Sequence, residues 1–534
     1  MNDLFESYKK RPKLDTHYDA ICIGSGLGSL CTASLLARAG KKVLVCEKHY
    51  TPGGYTHVYT RNDYEWDVGI HYVGDMDRKG SLLRKVFTHI TDDNLKWADM
   101  GEVYDRIIVE GKTYNFVKGL QNWKKQMKLY FPTTEDAQTI DKYVELLFDV
   151  NKTSKGHYMK KALPDFVNFF VGGFMGNAYK KYYQQTTKQV LDSISNNDTL
   201  KAVLTAQFGD YGMPPAESSF VIHAAVALHY MNGGFYPEGG SEEIFNTIAP
   251  SIINAGGKII ISAAVDKIVV ENGKATGIKM ADGKIISADA IISGVGAHLT
   301  FNKLLNDTNK KYISFLDDLN QVQPSFGHFS LYIGLQHTAE ELNLPKANYW
   351  YYPNGTNHDA AINNFTTDYK NEFPVVYISF PSAKNPKFNE KYPGRATIEI
   401  ISMAKYEWFE QWENTRWKKR GEDYETFKEY FAQRLLNHLY HLEPQLKGKI
   451  DFYELSTPLS TKNFCNYEKG EIYGLDHPPE RFEKKYLRPK TPIKSLYLTG
   501  QDIVTVGIGG ALMSGVLTAS AVTNKNLLAE ILKQ

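Results

Sequence analysis

The chain has 534 residues, with 62 lysines and arginines against 60 aspartates and glutamates, for a formal net charge of +2. That length accommodates about two to four domains and a large core, which excludes a single small binding module. The near-neutral balance leaves no basic footprint for nucleic acid, and 42% hydrophobic with 23% charged residues is globular composition, not disorder.

Residues 1–18 carry no apolar run, and no stretch of about 18 apolar residues follows, so neither a secretory signal nor a bilayer span is expected. The four cysteines, Cys22, Cys31, Cys46 and Cys465, form no C-x-x-C pair and read as buried free thiols. The expectation is a cytoplasmic chain, not secreted, peripheral where it meets a membrane. The aromatic share is high at 13%, which suits a long apolar site or a lipid contact as well as ordinary core use.

The first organised unit is a βαβ. Asp19–Ile23 reads as a strand, Gly24-Ser25-Gly26-Leu27-Gly28-Ser29 as a turn, Leu30–Ala39 as a helix closed by Gly40, and Lys42–Cys46 as a second strand ending at Glu47. Gly24 permits the tight turn and Gly26 lets backbone approach a pyrophosphate. Leu27, Gly28 and Ser29 open a helix whose N–H groups and dipole favour that anion. Glu47, followed by Lys48, is placed to accept ribose hydroxyls. Ser29 stands where the third glycine of such turns falls, and it is small enough for close helix–strand packing.

Gly53-Gly54, followed by Tyr55, lies one loop further on, where backbone can pass the phosphates or a flavin. Asp67-Val-Gly-Ile-His71-Tyr72 comes next. Residues 120–235 lean to helix; within them, apolar aromatics from Phe166 to Tyr183, flanked by lysines, suit a membrane-facing mouth. From Lys258 to Gly294 the chain is β-rich, with hairpin turns at Asn272-Gly273 and Asp282-Gly283, and Val265 is counted with the dinucleotide contacts. Residues 320–405 lean to strand, and Trp408–Leu442 shows a long helical pattern. Leu496–Thr499 then reads as a strand, followed by Gly500, Asp502, Gly509 and Gly510 before a helix over Ala511–Val522. An acid there can bind ribityl hydroxyls, and the glycine-opened helix can face a flavin. No histidine or cysteine spacing suggests a metal, and no G-x-S-x-G is present.

Gly24-Ser-Gly-Leu-Gly28, Asp67–Tyr72, Phe208–Pro215, Gly234–Ser241, Pro381–Pro386, Pro393–Thr397, Tyr406–Phe409 and Leu498–Asp502 together resemble the FAD-dependent phytoene desaturase, carotenoid isomerase and retinol saturase superfamily, most of all its retinol saturase branch. The resemblance covers residues 18–522. It implies an α/β fold: a glutathione-reductase-like Rossmann FAD-binding domain with an inserted α+β substrate domain. The expected division is 1–120, 236–320 and 450–534 for FAD, and 121–235 with 321–449 for the substrate.

The resemblance also implies tightly held FAD and a lipophilic polyene substrate. Saturating a C=C bond needs a hydride from reduced flavin and a proton from an acid. The candidate donors are His71, Tyr72, Asp210, Tyr211, His223 and Tyr236, with His229 beside them. Carotenoid isomerisation or desaturation is the alternative, although desaturase relatives often carry Arg where Tyr55 stands. A prenyl-binding escort protein of similar fold is the non-enzymatic rival, against which the Gly500–Asp502 segment argues. No second dinucleotide fingerprint is visible, so the electron partner is an unidentified diffusing carrier or quinone.

Overall fold

The computed structural model describes residues 4–162, 177–305 and 313–533. Strand β1 (His17–Ile23) is followed by helix α1 (Leu27–Arg38) and strand β2 (Val43–Cys46). All of β2 and all but the last residue of α1 are buried, so an Ala/Leu-rich helix and a continuous apolar strand form here, not alternating ones. Gly40, at φ +79°, ends the helix as read from the sequence. Three more elements complete the frame: β3 (Ile285–Ser293), β4 (Leu496–Leu498) and α2 (Gly507–Thr523).

Among the described residues, eight strands form one sheet. Its spatial order is Glu6–Ser7, Lys258–Ile261, β2, β1, β3, Lys274–Met280 and Val265–Glu271, with β4 also pairing β3. The pairings among β1, β2, β3 and β4 are parallel, with Ile23 opposite Cys46 and Ser293, and Ser293 opposite Leu498. The strands therefore end level, and Gly24, Gly294 and Gly500 follow at one carboxyl edge. In open α/β sheets that edge is where ligands bind.

A second sheet has seven strands in the order Ile450–Ser456, Gly327–Gln336, Arg395–Ala404, Val376–Ser379, Asn348–Tyr352, Val103–Val109 and Lys112–Val117. Residues 103–117 and 450–456, expected with the nucleotide-binding part, instead pair within this sheet: Val103–Val109 runs parallel to Asn348–Tyr352, and Ile450–Ser456 antiparallel to Gly327–Gln336. A helical layer covers it, and its core includes Trp123, Tyr143, Phe208 and Phe220.

The long helix expected from Trp408 begins only at Glu422. Lys418 at φ +62° and Gly421 at φ +99° break the preceding backbone, which holds short 3-10 turns. The expected membrane-facing stretch lies mostly outside the described residues. In its described end the aromatics Tyr179, Tyr182 and Tyr183 are buried, while Asn177, Ala178, Lys180 and Lys181 are exposed. Among the described residues no helix is long and apolar enough to cross a membrane, and no cluster suits a metal ion.

Candidate functional site

Glu47 organises the first turn before any ligand is considered. Its Oε2 accepts from the Ser25 backbone N–H at 2.9 Å and from the Ser25 hydroxyl at 2.7 Å, while Oε1 accepts from the His49 N–H at 2.7 Å. The Gly53 N–H donates to Ser25 Oγ at 2.9 Å, which ties the second glycine turn to the first. A Cβ on Gly54, at φ +58°, would lie 2.8 Å from Gly26 Cα, so the two turns touch. Gly26 itself faces open space. Gly24, at φ +88°, supplies the backbone sign an L side chain rarely adopts.

Ser29 is fully buried, and its hydroxyl has no partner among the described residues. The close approach expected of a third glycine is made from the opposite side, since a Cβ on Gly294 would overlap the Ser29 hydroxyl. Open space at Gly26, a buried unpaired hydroxyl and a pre-set acid together fit a dinucleotide pyrophosphate and ribose. Of the expected cofactor residues, all but Gly53 line the resulting cavity; Gly53 acts from behind through Ser25.

Asp502 also has a structural role. Its two carboxylate oxygens already accept from the Ala297 N–H at 2.7 Å and the Leu475 N–H at 3.1 Å, so it pins two loops as well as lining the cavity. Arg481, 2% exposed, donates to the carbonyls of Leu475, Asp476, Gln501 and Asp502. His477 Nε2 accepts from the Val506 N–H at 3.1 Å, just before α2. These two residues hold the glycine-opened start of α2 at the cavity.

That cavity measures about 1350 Å³ and runs from the nucleotide turns to an apolar chamber walled by Phe326, Trp350, Tyr377, Met403 and Tyr473. His71, Tyr72 and Asp210 line it, and so does His229. Tyr211, His223 and Tyr236 do not. His223 is buried between the Tyr143 and Tyr211 hydroxyls at 2.8 and 3.4 Å, and burial drives its pKa down to about 3. Tyr236 donates to Asp67 behind the wall. His229 Nε2 is occupied as acceptor of the Gly74 N–H.

Behind His71 and Tyr72 lies a buried set of charges that sequence reasoning missed. Lys384, 1% exposed, donates to the His71 carbonyl at 2.9 Å, to Ser379 Oγ at 2.8 Å and to Asn348 Oδ1. Burial lowers its pKa to about 8, against the pull of Glu399, Asp67 and Asp105. His71 Nδ1 stands 2.8 Å from Glu399 Oε2, off the line of a formed hydrogen bond. Burial raises Glu399 well above the carboxylate range and lowers His71 to about 3, so both favour their neutral forms. Burial raises Asp67 to about 6 and Asp105 to about 7. The available signal was Glu399 itself, a lone acid within the apolar run Ile398–Ile401.

Residues 22–89 match the family described as NAD(P)-binding Rossmann-like domain. The crystal structure of an oxidoreductase from Methanosarcina mazei superposes with a TM-score of 0.62 over 95% of this chain and all of that one, at 15% identity, a likeness of fold. The chloroplastic prolycopene isomerase of Daucus carota is 26% identical over 95% of this chain and 80% of its own. The all-trans-retinol 13,14-reductase of Homo sapiens is 36% identical over 96% of this chain and 87% of its own. With that identity over nearly the whole chain, the chain belongs to the all-trans-retinol 13,14-reductase family.

Proposed function

We propose that this protein is an FAD-dependent reductase that saturates one C=C bond of a long conjugated polyene of retinol or carotenoid type. The observation that carries the reading is the continuity of the cavity: the dinucleotide turns and the aromatic chamber are one space of about 1350 Å³, above the usual ~300–1,000 Å³ of a single-ligand pocket. When bound, reduced FAD supplies the hydride. The protein's own groups do the rest. Gly24–Ser29 and Glu47 hold the dinucleotide, the aromatic wall aligns an apolar chain and excludes water, and Asp210 presents a carboxyl group to the chamber. Leu82, Phe148 and Leu532, exposed at 38%, 45% and 44%, line the same cavity. Their apolar surface supports loading from a lipid surface. The electron donor is taken to be a diffusing carrier or quinone.

The similarity to prolycopene isomerase favours a second reading, flavin-dependent cis–trans isomerisation. One experiment separates the two. The purified protein, expected to be yellow with flavin absorbance, is reduced anaerobically and mixed with all-trans-retinol or a carotenoid. Flavin reoxidation with a product heavier by two hydrogens supports saturation, and a new isomer of unchanged mass supports isomerisation. A colourless protein that FAD does not reconstitute overturns both and leaves the escort-type rival.

A further inference from the structure

Tyr72 stands between two carboxyl groups. Its hydroxyl is 2.9 Å from Asp105 Oδ2 and 3.2 Å from Asp210 Oδ2. A phenol carries one proton and donates one hydrogen bond, so both contacts form only if one carboxyl group brings a proton of its own. The trio is thus built to hold a carboxylic acid.

The three residues are not equivalent. Asp210 lines the cavity, and the hydrogen bond of its side chain among the described residues is to Tyr72. Asp105 is fully buried behind the wall, where Gln207 and Asn348 donate to it at 2.9 and 3.0 Å. Lys384 is hydrogen-bonded to Asp105 through the Asn348 amide, and its charge also favours the Asp105 carboxylate. The Tyr72 ring is clamped by Tyr230, with ring centroids 3.9 Å apart and planes within 7°. Around Asp210 the charged or titratable groups are Asp105 and the phenols of Tyr72, Tyr211, Tyr230, Tyr352, Tyr377 and Tyr473. No cation faces it directly among these. Burial, and then the Asp105 charge, push Asp210 well above the carboxylate range. Burial brings Asp105 to about 7 despite its three donors.

We propose that Asp210 is the catalytic acid that protonates the polyene carbon, and that Asp105 is its proton reserve, joined to it by the Tyr72 hydroxyl. This rests on the reductase reading and deepens it. As the Asp210 O–H bond breaks, a C–H bond forms at one carbon of the double bond; the other carbon takes the hydride. The Asp210 carboxylate then takes the Tyr72 hydroxyl proton, and Tyr72 takes the proton that Asp105 holds below about pH 7; between turnovers a proton from water in the cavity reaches Asp210 and restores Asp105 by the reverse path. No electrons pass along this relay, because the hydride pair from reduced FAD accounts for the reduction. Asp105 is shielded from the chain it serves, and Tyr72, which lines the cavity, passes the proton between the two carboxyl groups.

Infrared difference titration of the purified protein reads the carboxyl protons without any turnover. The wild type is expected to show two carboxylic-acid C=O bands that titrate as a coupled pair, one lost in Asp105→Asn and the other in Asp210→Asn. Tyr72→Phe keeps both bands and uncouples them. In turnover with reduced flavin, Asp210→Asn slows the chemical step by about 10²- to 10⁴-fold. Asp105→Asn moves the alkaline limb of the rate to lower pH, since Asp210 loses a like-charged neighbour. Independent titration of the two bands in the wild type, or an unmoved pH limb in both Asp105→Asn and Tyr72→Phe, overturns the relay. Coupled bands in a wild type that reduces no polyene overturn the reductase reading instead.

Discussion

Gly28 packs directly on the backbone of Gly500, so the first turn of α1 and the end of β4 meet with no side chain between them. A Cβ at Gly28 would fall 2.8 Å from the Gly500 nitrogen and 2.9 Å from Ser514 Oγ. Gly28→Ala therefore forces apart the two segments that close the cradle, an overpacking that costs about 1–3 kcal/mol. The variant is expected to melt earlier and to purify with less flavin. A wild-type melting temperature together with full flavin content would show that the two turns do not need this approach.

Glu47 is expected to matter even in the absence of ligand. Glu47→Ala strips the acceptor from the Ser25 N–H, the Ser25 hydroxyl and the His49 N–H. Each such loss costs on the order of 1 kcal/mol where water replaces the partner and more where it does not. Flavin affinity, measured by fluorescence titration, should weaken by about 10- to 100-fold, equivalent to ~1.4–2.8 kcal/mol. Glu47→Gln keeps one acceptor oxygen and should lose less; equal losses in the two variants would mean that only the charge counts.

Asp105 makes stability depend on pH in a stated direction. Burial raises its pKa from 3.8 to about 7, so the folded state binds the proton more tightly than the unfolded chain. Its contribution is full below about pH 4 and is lost as pH rises through about 7. Asp67, raised to about 6, acts with the same sign. His71, lowered to about 3, acts oppositely: its contribution is present above about 6.5 and lost as pH falls toward 3. Comparing wild type with Asp105→Asn reads Asp105 together with its coupling to Asp210 and leaves out Asp67 and His71. Relative to the variant, the wild type should lose on the order of 2–4 kcal/mol between about pH 4 and pH 8, read from urea midpoints. Parallel curves would refute the buried-acid assignment.

The span from His17 to Glu47 was legible because its parts are local: strand, glycine turn, helix, strand and acid follow one another in a single βαβ unit. The buried charge set was not, because each member arrives on a different element. Asp105 meets Asn348 only through the parallel pairing of Val103–Val109 with Asn348–Tyr352, which puts those two residues in register across 243 positions. Asp502 was legible as an acid at a strand end, but its engagement by Ala297 and Leu475 depends on loops far apart in the chain. Likewise, the apolar pattern around Trp408 looked helical because periodicity does not register the positive φ of Lys418 and Gly421.

Ala225 offers a direct test of what occupies the chamber. Helix Phe220–Tyr230 lines the cavity with Val221, Ile222, Ala224, Ala225, Val226, Leu228, His229 and Tyr230. Of the two alanines in that wall, Ala224 is buried and Ala225 is exposed, so a larger side chain at Ala225 projects into free volume and does not disturb the core behind. Ala225→Trp is expected to retain flavin, since Gly24–Ser29 and Glu47 are untouched, while narrowing the path of the substrate. A rigid carotenoid must run further along the chamber than retinol, so its kcat/KM should fall by at least about 10-fold more than that of retinol, the scale at which pocket sterics discriminate. The comparison uses the same reduced enzyme with both substrates, which cancels changes in flavin reactivity. Equal loss for the two polyenes would place the reacting chain elsewhere than along this helix.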